Sequence, residues 1–355
     1  MALDGWKEKL YQRYLSWICR PSRIERHLRA ALPAPAQPAL EVKQGLVRAA
    51  ALQVELKLSK SPLYYADEMH RRVKEAVKEG VQLVVFPEYN NLPLLGLLPG
   101  FEKMEEAYRK KVKQSGVKDD NQKEEEISLA EVFRYMSPAV QPLVHTVFSC
   151  LSAVYGLHIM AGSYTLADNG NVINRSFLYG PTGLRIGSQD KVHLLPVETE
   201  WNIKRGRSFS VYDTPLGSLA LPVCMDATYF ETFRILEQKG ADIVLLPIAN
   251  LEEYNYWLAL RGIWPRVQES QLYGIKSALV GTIAGLKFTG RAGIFAPLEI
   301  TPNRDGILAE VEPYDREAIA IADLDLEALH KLRSAHPWRD SNPVLYRRYF
   351  PELYS

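Results

Sequence analysis

The alternation of apolar and polar positions divides the chain into stretches of different texture. Near the start, Trp6, Leu10, Tyr14 and Trp17 recur every three or four residues, the spacing of one helical face. This amphipathic arm is expected to pack on the main body or on a second subunit, or, being basic, to lie on a membrane surface. Prolines at 33, 35 and 38 then end the helix and form a stiff linker. From Leu46 the texture changes. Leu46–Leu56 reads as a strand, and Tyr65–Lys78 reads as a helix with Met69, Val73 and Val77 on one face. Val81–Phe86 follows Gly80 as a short buried strand, completing a β-α-β unit. Glu102–Glu126 is dense in charge and reads as a solvated helix and loop, or as a lid over a pocket.

Val140–Tyr155 reads as an apolar helix, and Ile159–Tyr164 with Ser176–Tyr179 as strands paired across Asp168-Asn169-Gly170. Val211–Thr214 and Ser218–Val223 form a hairpin around Leu216-Gly217. Helices are expected at Phe230–Lys239 and over most of Trp257–Tyr273, and strands at Ile243–Pro247, Leu279–Ile283, Ala292–Phe295 and Ala318–Asp323. This alternation argues for a layered α/β domain. The expected divisions are an arm and linker at 1–45, the main domain at 46–335 and a tail at 336–355. The tail carries Trp338, Tyr346, Tyr349, Phe350 and Tyr354. It is expected to pack at a subunit interface, because a free tail would leave that apolar area in water.

Composition narrows the function classes. With 355 residues, 47% hydrophobic and 24% charged, the chain can bury a full core without disulfide or metal staples. A net charge of +1 gives no reason to expect nucleic acid as a partner. Three cysteines, Cys19, Cys150 and Cys224, make neither a disulfide framework nor a zinc pattern. The histidines are scattered and no Gly-x-Gly-x-x-Gly follows a strand, so neither a metal nor another cofactor is expected. No apolar run is long enough to span a bilayer. The apolar run Tyr14–Cys19 is too short for a secretory signal, and Asp4, Glu8 and Glu25 are unlike a transit peptide. The expected location is cytoplasmic.

Chemistry is concentrated at three strand ends, where open α/β sheets collect their sites. Val84-Val85-Phe86-Pro87 runs straight into Glu88, a carboxylate that is costly to bury unless paired. Lys191 lies in Asp190-Lys191-Val192-His193-Leu194-Leu195-Pro196, with Glu198 and Glu200 just beyond. Cys224 ends Leu219-Ala220-Leu221-Pro222-Val223 before a turn into a helix, and a helix start or a nearby ammonium lowers a thiol pKa. Taken singly, each has an ordinary structural reading: a capping glutamate, a surface ion pair, an inert thiol. His193 is read as a structural histidine, and Cys19 and Cys150 as structural thiols. Taken together, a base, a cation and a thiol are the parts of nucleophilic catalysis at a carbonyl.

Phe86-Pro87-Glu88, Asp190-Lys191-Val192-His193-Leu194-Leu195-Pro196 and Val223-Cys224-Met225-Asp226 resemble, in order, the signature segments of the nitrilase, or carbon–nitrogen hydrolase, superfamily. Gly162-Ser163-Tyr164 followed by Asn174, the run Gly240–Pro247 and the run Gly290–Pro297 are similar as well, so the resemblance spans about Leu46 to Leu332. It implies a four-layer α-β-β-α sandwich without a cofactor, acting on a small-molecule amide or related compound. It implies Glu88 as base, Cys224 as nucleophile, and Lys191 with the Met225 backbone N–H as stabilisers of the oxyanion. It further implies a supporting glutamate, Glu198 or Glu200 with Glu198 preferred, and a homodimer or higher homo-oligomer formed through the helix near Phe230–Lys239. Met225-Asp226 stands where nitrile-hydrolysing members commonly have Trp-Glu, which favours an amide. Tyr229-Phe230-Glu231 replaces a common Phe-Pro-Glu.

The expected activity is thiol-dependent hydrolysis of a non-peptide carbon–nitrogen bond through a Cys224 thioester. A nitrilase or an amine-accepting N-acyltransferase could use the same three residues, and a non-catalytic scaffold could keep the fold. Tyr89, Asn90, Tyr164, Tyr229, Asn250 and Glu253 sit beside the expected strand ends and suggest a mixed aromatic and polar substrate site.

Overall fold

Strand β1 (Leu46–Glu55) organises the sheets by changing partner along one edge. The computed structural model describes residues 5–32, 45–101, 103, 129–283, 285–335 and 342–354; the linker prolines, most of the charged 102–126 stretch and Trp338 lie outside them. The remaining strands are β2 (Leu83–Val85), β3 (His158–Asp168), β4 (Asn171–Tyr179), β5 (Arg185–Asp190), β6 (Ile203–Lys204), β7 (Val211–Thr214), β8 (Gly217–Ala220), β9 (Ile243–Ile248), β10 (Tyr273–Ile283), β11 (Leu286–Phe288), β12 (Gly293–Phe295), β13 (Ile307–Glu310) and β14 (Ala318–Asp325). β1 pairs antiparallel with β14 along Leu46–Gln53, but parallel with β10 at Gln53–Glu55. That switch divides a continuous ladder into two halves, β5-β4-β3-β2-β1-β14 and β7-β8-β9-β10-β12-β13.

The strand period of two sorts side chains between the layers. Val47, Ala49, Ala51, Leu83, Val85, Met160 and Leu178 of the first half bury against Leu219, Ile243, Leu245, Ile275 and Ile294 of the second. The alternate residues Ala50, Leu52, Val84, Ile159 and Phe177 face helices instead. Those helices are α1 (Gly5–Ile18), α2 (Pro21–Ala31), α3 (Pro62–Lys78) and α4 (Leu129–Tyr155). On the far side, Ala220, Val244 and Leu246 pack with α5 (Phe230–Gln238) and α6 (Ile263–Ser270) through Phe233, Leu236, Ile263 and Val267. The result is the expected α-β-β-α sandwich, closed by α7 (Leu326–Ala335) and followed by α8 (Pro343–Leu353).

Local signals explain the best-read elements. The Ser61 side chain accepts from the Tyr64 N–H at 3.1 Å, Pro62 occupies the first turn of α3, and Gly80 at φ 71° follows its end. The β3–β4 hairpin turns through Asn169 and Gly170, both left-handed.

Other expectations are corrected. α4 begins at Leu129 rather than Val140 and contains Pro138 and Pro142, residues that argue against a helix interior. Burial of Phe133, Met136, Val140, Leu143 and Val147 along one face outweighs that cost. Trp257–Tyr273 is mostly helical, as two pieces rather than one continuous run: a short helix at Tyr256–Leu260 and α6 are separated at Gly262, and Gln271 at φ 47° turns the chain into β10. The arm is helical but breaks at Pro21. Its buried face carries Leu15, Ile18, Ile24 and Leu28. Trp6, Leu10, Tyr14 and Trp17 are 64%, 60%, 50% and 52% exposed, so the stripe read from the sequence points away from the body.

Candidate active site

The site lies where the two halves of the ladder meet, beyond the carboxyl ends of β2, β5, β8 and β9. The buried β2 runs into Pro87-Glu88-Tyr89, and Tyr89 takes φ 53°, a turn conformation uncommon outside glycine. Gly162 on β3 supports this turn. Its φ is 82°, and a Cβ there would fall 2.1 Å from the Pro87 carbonyl oxygen, so only glycine allows the approach. The Asn90 N–H donates to the Ser163 carbonyl at 2.9 Å.

β5 delivers Lys191, whose backbone N–H donates to the Asn174 carbonyl at 2.8 Å. Its ammonium is fully buried and reaches Glu88 Oε1 at 2.9 Å and Glu198 Oε2 at 2.7 Å. Burial opposes the charge on Lys191, but Glu88, Cys224 and Glu198 together outweigh it and hold the pKa above its ordinary value. Asn174 Nδ2 bridges the two carboxylates, at 3.0 Å from Glu88 and 3.4 Å from Glu198. Tyr89 donates its hydroxyl to Glu198 Oε1, and the Leu195 N–H donates to Glu198 Oε2 at 2.8 Å. Glu88 Oε2 is left without a hydrogen-bond partner. Burial pushes the Glu88 pKa up, Lys191 pulls it back and Glu198 pushes it up again.

The third arm of the site is Cys224, at the start of a 3-10 turn, Cys224–Thr228, after β8. Its φ is 45°, so the nucleophile candidate sits on a sharp, strained elbow. Asn250 Oδ1 lies 3.7 Å from the sulfur. The thiol is electrostatically coupled to Glu88 and Lys191, yet its pKa is raised, first by burial and then by Glu88, against the opposing pull of Lys191. This corrects the expectation of a depressed thiol: the carboxylate and the apolar surroundings outweigh the ammonium. Cys19 is also pushed up, to about 12, by burial.

Asp226 ties the second arm to the third. Its buried carboxylate accepts from the N–H groups of His193 at 2.7 Å, Val192 at 3.2 Å and Val223 at 2.9 Å, and pairs with His193 Nδ1 at 2.8 Å. His193 stacks on Tyr229 with ring centroids 4.1 Å apart.

The structure therefore brings together Glu88, Lys191, Cys224, Glu198, Tyr89 and Asn250. Met225 follows the nucleophile candidate at the start of a turn, where backbone N–H groups lack partners within the turn. Glu200 and Glu253 are exposed, unlike the buried Glu88 and Glu198. Asn90 and Tyr164 stand one layer back: Asn90 donates to Ala161 O and to the Tyr164 hydroxyl, both at 3.0 Å, and Tyr164 is buried among core residues. Tyr229 caps His193 at the surface rather than entering the cluster. Asn174 and Asp226 lie in the signature stretches, but their roles come only from partners that the fold brings close. Among the described residues, no group of three or more His, Cys, Asp or Glu could hold a metal ion.

Beside the cluster lies a narrow pocket of about 20 Å³, reached past Tyr89 and Ala249. Leu92, Phe133, Val197, Trp201, Leu251 and Phe288 line it, and it presents almost no polar surface. Tyr89 is shared between this apolar pocket and the charge cluster, where its hydroxyl donates to Glu198.

Known proteins resemble this chain in sequence and in fold. The carbon–nitrogen hydrolase family model matches residues 48–334. The probable hydrolase YhcX of Bacillus subtilis is 26% identical over 88% of this chain, but the match covers only 54% of that protein, so the chain spans about half its length. A nitrilase of Pyrococcus abyssi is 26% identical over 81% of this chain and 93% of its own. The omega-amidase NIT2 of Danio rerio is 23% identical over 80% and 91%. Among solved structures, a mutant of the amidase from Nesterenkonia sp. AN1 superposes with a TM-score of 0.61 at 19% identity, covering 88% of this chain and all of that one. A carbon–nitrogen hydrolase from Helicobacter pylori G27 gives 0.61 at 21% identity over 86% and 98%.

Proposed function

The chain belongs to the carbon–nitrogen hydrolase family, and from that premise we propose that it hydrolyses the amide of a small, uncharged, apolar acyl group through a thioester on Cys224. The observation that carries this reading is the fully buried Lys191 ammonium, held by Glu88 and Glu198 and coupled to the Cys224 thiol. Buried ions are costly to maintain, and removing this cluster in favour of apolar packing would cost the fold little. Its retention at a strained cysteine elbow fits a catalytic use.

In the proposed sequence, Sγ of Cys224 attacks the amide carbon while its proton passes to Glu88. The raised thiol pKa keeps Cys224 protonated at rest, and the raised carboxyl pKa makes ionised Glu88 a stronger base, so the proton moves as the S–C bond forms. The Lys191 ammonium and the Met225 N–H stabilise the oxyanion. Its collapse breaks the C–N bond, and Glu88 returns the proton to the departing amine. Water then attacks the thioester, giving a proton to Glu88, and the sulfur leaves to be reprotonated. Glu198 and Asn174 keep Lys191 and Glu88 in register. Among the described residues, the lining of the adjoining pocket offers no cation to offset the desolvation of a substrate carboxylate, which supports an uncharged acyl group.

The test compares butyramide, succinamate and butyronitrile as substrates of the wild type, Glu88→Gln, Lys191→Met and Cys224→Ala. Butyramide should be hydrolysed at least tenfold better than succinamate, with butyronitrile left intact. Each substitution should lower kcat/KM by roughly 10³-fold or more. Full activity in Cys224→Ala would sink the mechanism, and a preference for succinamate would sink the substrate class.

A further inference from the structure

We propose that helix α1 docks the protein on an anionic lipid surface, with its aromatic face in the headgroup layer. The helix is fixed to the body by its other face: Leu15 and Ile18 are buried, Tyr11 stacks on Tyr135 at 6.4 Å, and the Tyr11 hydroxyl donates to the Leu97 carbonyl. The outward face is therefore held in place rather than swinging free. It presents Trp6, Leu10, Tyr14 and Trp17, all at least half exposed, along about 16 Å of helix. Single exposed apolar residues are ordinary, but an aligned row marks an interaction surface.

The charge around this row selects the partner. Between positions 9 and 29 the arm carries Lys9, Arg13, Arg20, Arg23, Arg26 and Arg29 against Glu25 alone, whereas the whole chain is +1. The rest of the chain is thus net negative, and this stretch carries the opposite net sign. All six are exposed. Lys9 and Arg13 lie on α1 beside the row, and the Arg20 and Arg23 guanidinium groups sit 5.5 and 5.3 Å from the Trp17 ring. Two copies meeting face to face through this row would set these cations against their own kind. An anionic bilayer instead satisfies both features: tryptophan and tyrosine prefer the headgroup layer, and lysine and arginine meet its phosphates. Docking of this kind needs no membrane-crossing helix, and none of the described helices is long and apolar enough to be one.

The experiment is co-sedimentation of the full chain with vesicles of phosphatidylcholine alone or with 30% phosphatidylglycerol, at low and high salt. The wild type should sediment with the anionic vesicles at least tenfold more than with the neutral ones, and 0.5 M NaCl should release it. Lys9→Glu with Arg13→Glu should abolish binding through charge, and Leu10→Ser with Trp17→Ser through the apolar face. Neither pair touches the candidate active site, so butyramide hydrolysis and the melting temperature serve as checks on folding. The idea is overturned if the wild type stays in the supernatant at low salt, or if the charge-reversed pair binds as well as the wild type. It is equally overturned if the serine pair turns a dimer into a monomer in sedimentation velocity without changing vesicle binding, which would assign the face to a second copy.

Discussion

At the scale of single residues, the site is a charge cluster whose balance is set by burial. A glutamate acts as a base only when deprotonated, so its raised pKa moves the acid limb of kcat/KM above the ordinary glutamate range. Asn174 donates to Glu88 Oε1 and so favours the charged form. Replacing Asn174 by Ala should push the Glu88 pKa higher still and shift the acid limb upward by a few tenths to about one pH unit, with the plateau rate less affected. A pH–rate profile of the two proteins checks this, and a downward shift would contradict the assignment of Glu88 as base. Glu88 and Cys224 were legible in the sequence because each ends an apolar run, and Lys191 because it stands between an apolar run and nearby carboxylates. Asn174 was not, because a polar residue inside a strand looks alike whether it faces water or a partner 86 positions away. The thiol pKa was misread for a related reason: sequence names the neighbours of a group but not how deeply they are buried.

At the scale of elements, the glycine behind the Glu88 turn matters more than its lack of chemistry suggests. Gly162→Ala places a methyl group where the Pro87 carbonyl already stands and forces a side chain onto a left-handed backbone. We expect a loss of about 2 kcal/mol or more in stability, together with a loss of activity because Pro87 and Glu88 must retreat. Denaturant unfolding and amide turnover measure the two effects, and an alanine variant with wild-type values for both would show that the turn has slack. Strands and helices with strong apolar periodicity, such as β1 and α3, were readable to within a few residues. β5, with the polar sequence Arg185-Ile186-Gly187-Ser188-Gln189-Asp190, was not, because its identity as a strand comes from pairing with β4. α4 extends eleven residues before the expected start at Val140, across Pro138, because burial of Phe133 and Met136 holds a first part whose local proline cost is visible in sequence while the compensating burial is not.

At the scale of the molecule, α8 displays Val344, Leu345, Tyr346, Tyr349 and Phe350 to solvent, and Tyr354 reaches Glu231 at the start of α5. Phe230 and Ile235 of α5 are exposed as well, at 46% and 41%. That much apolar surface on two connected helices should be covered by a second copy of the chain. Sedimentation velocity should find a dimer that is lost when residues 342–355 are removed, and a full-length monomer at micromolar concentration would refute it. The tail was flagged by its aromatic content alone, whereas the four-layer order was readable only through the signature segments, since periodicity does not say which sheet faces which. One feature of the centre reaches across those layers. Asp226 gathers the backbone of the Lys191 loop, from the first half of the ladder, and of the Cys224 elbow, from the second. The groups proposed to react are thus not housed within either sheet but come together only as a product of their docking. A chain with both halves formed and the seam between them unsealed would hold every chemical group and no active site, so turnover itself reports that the seam has closed.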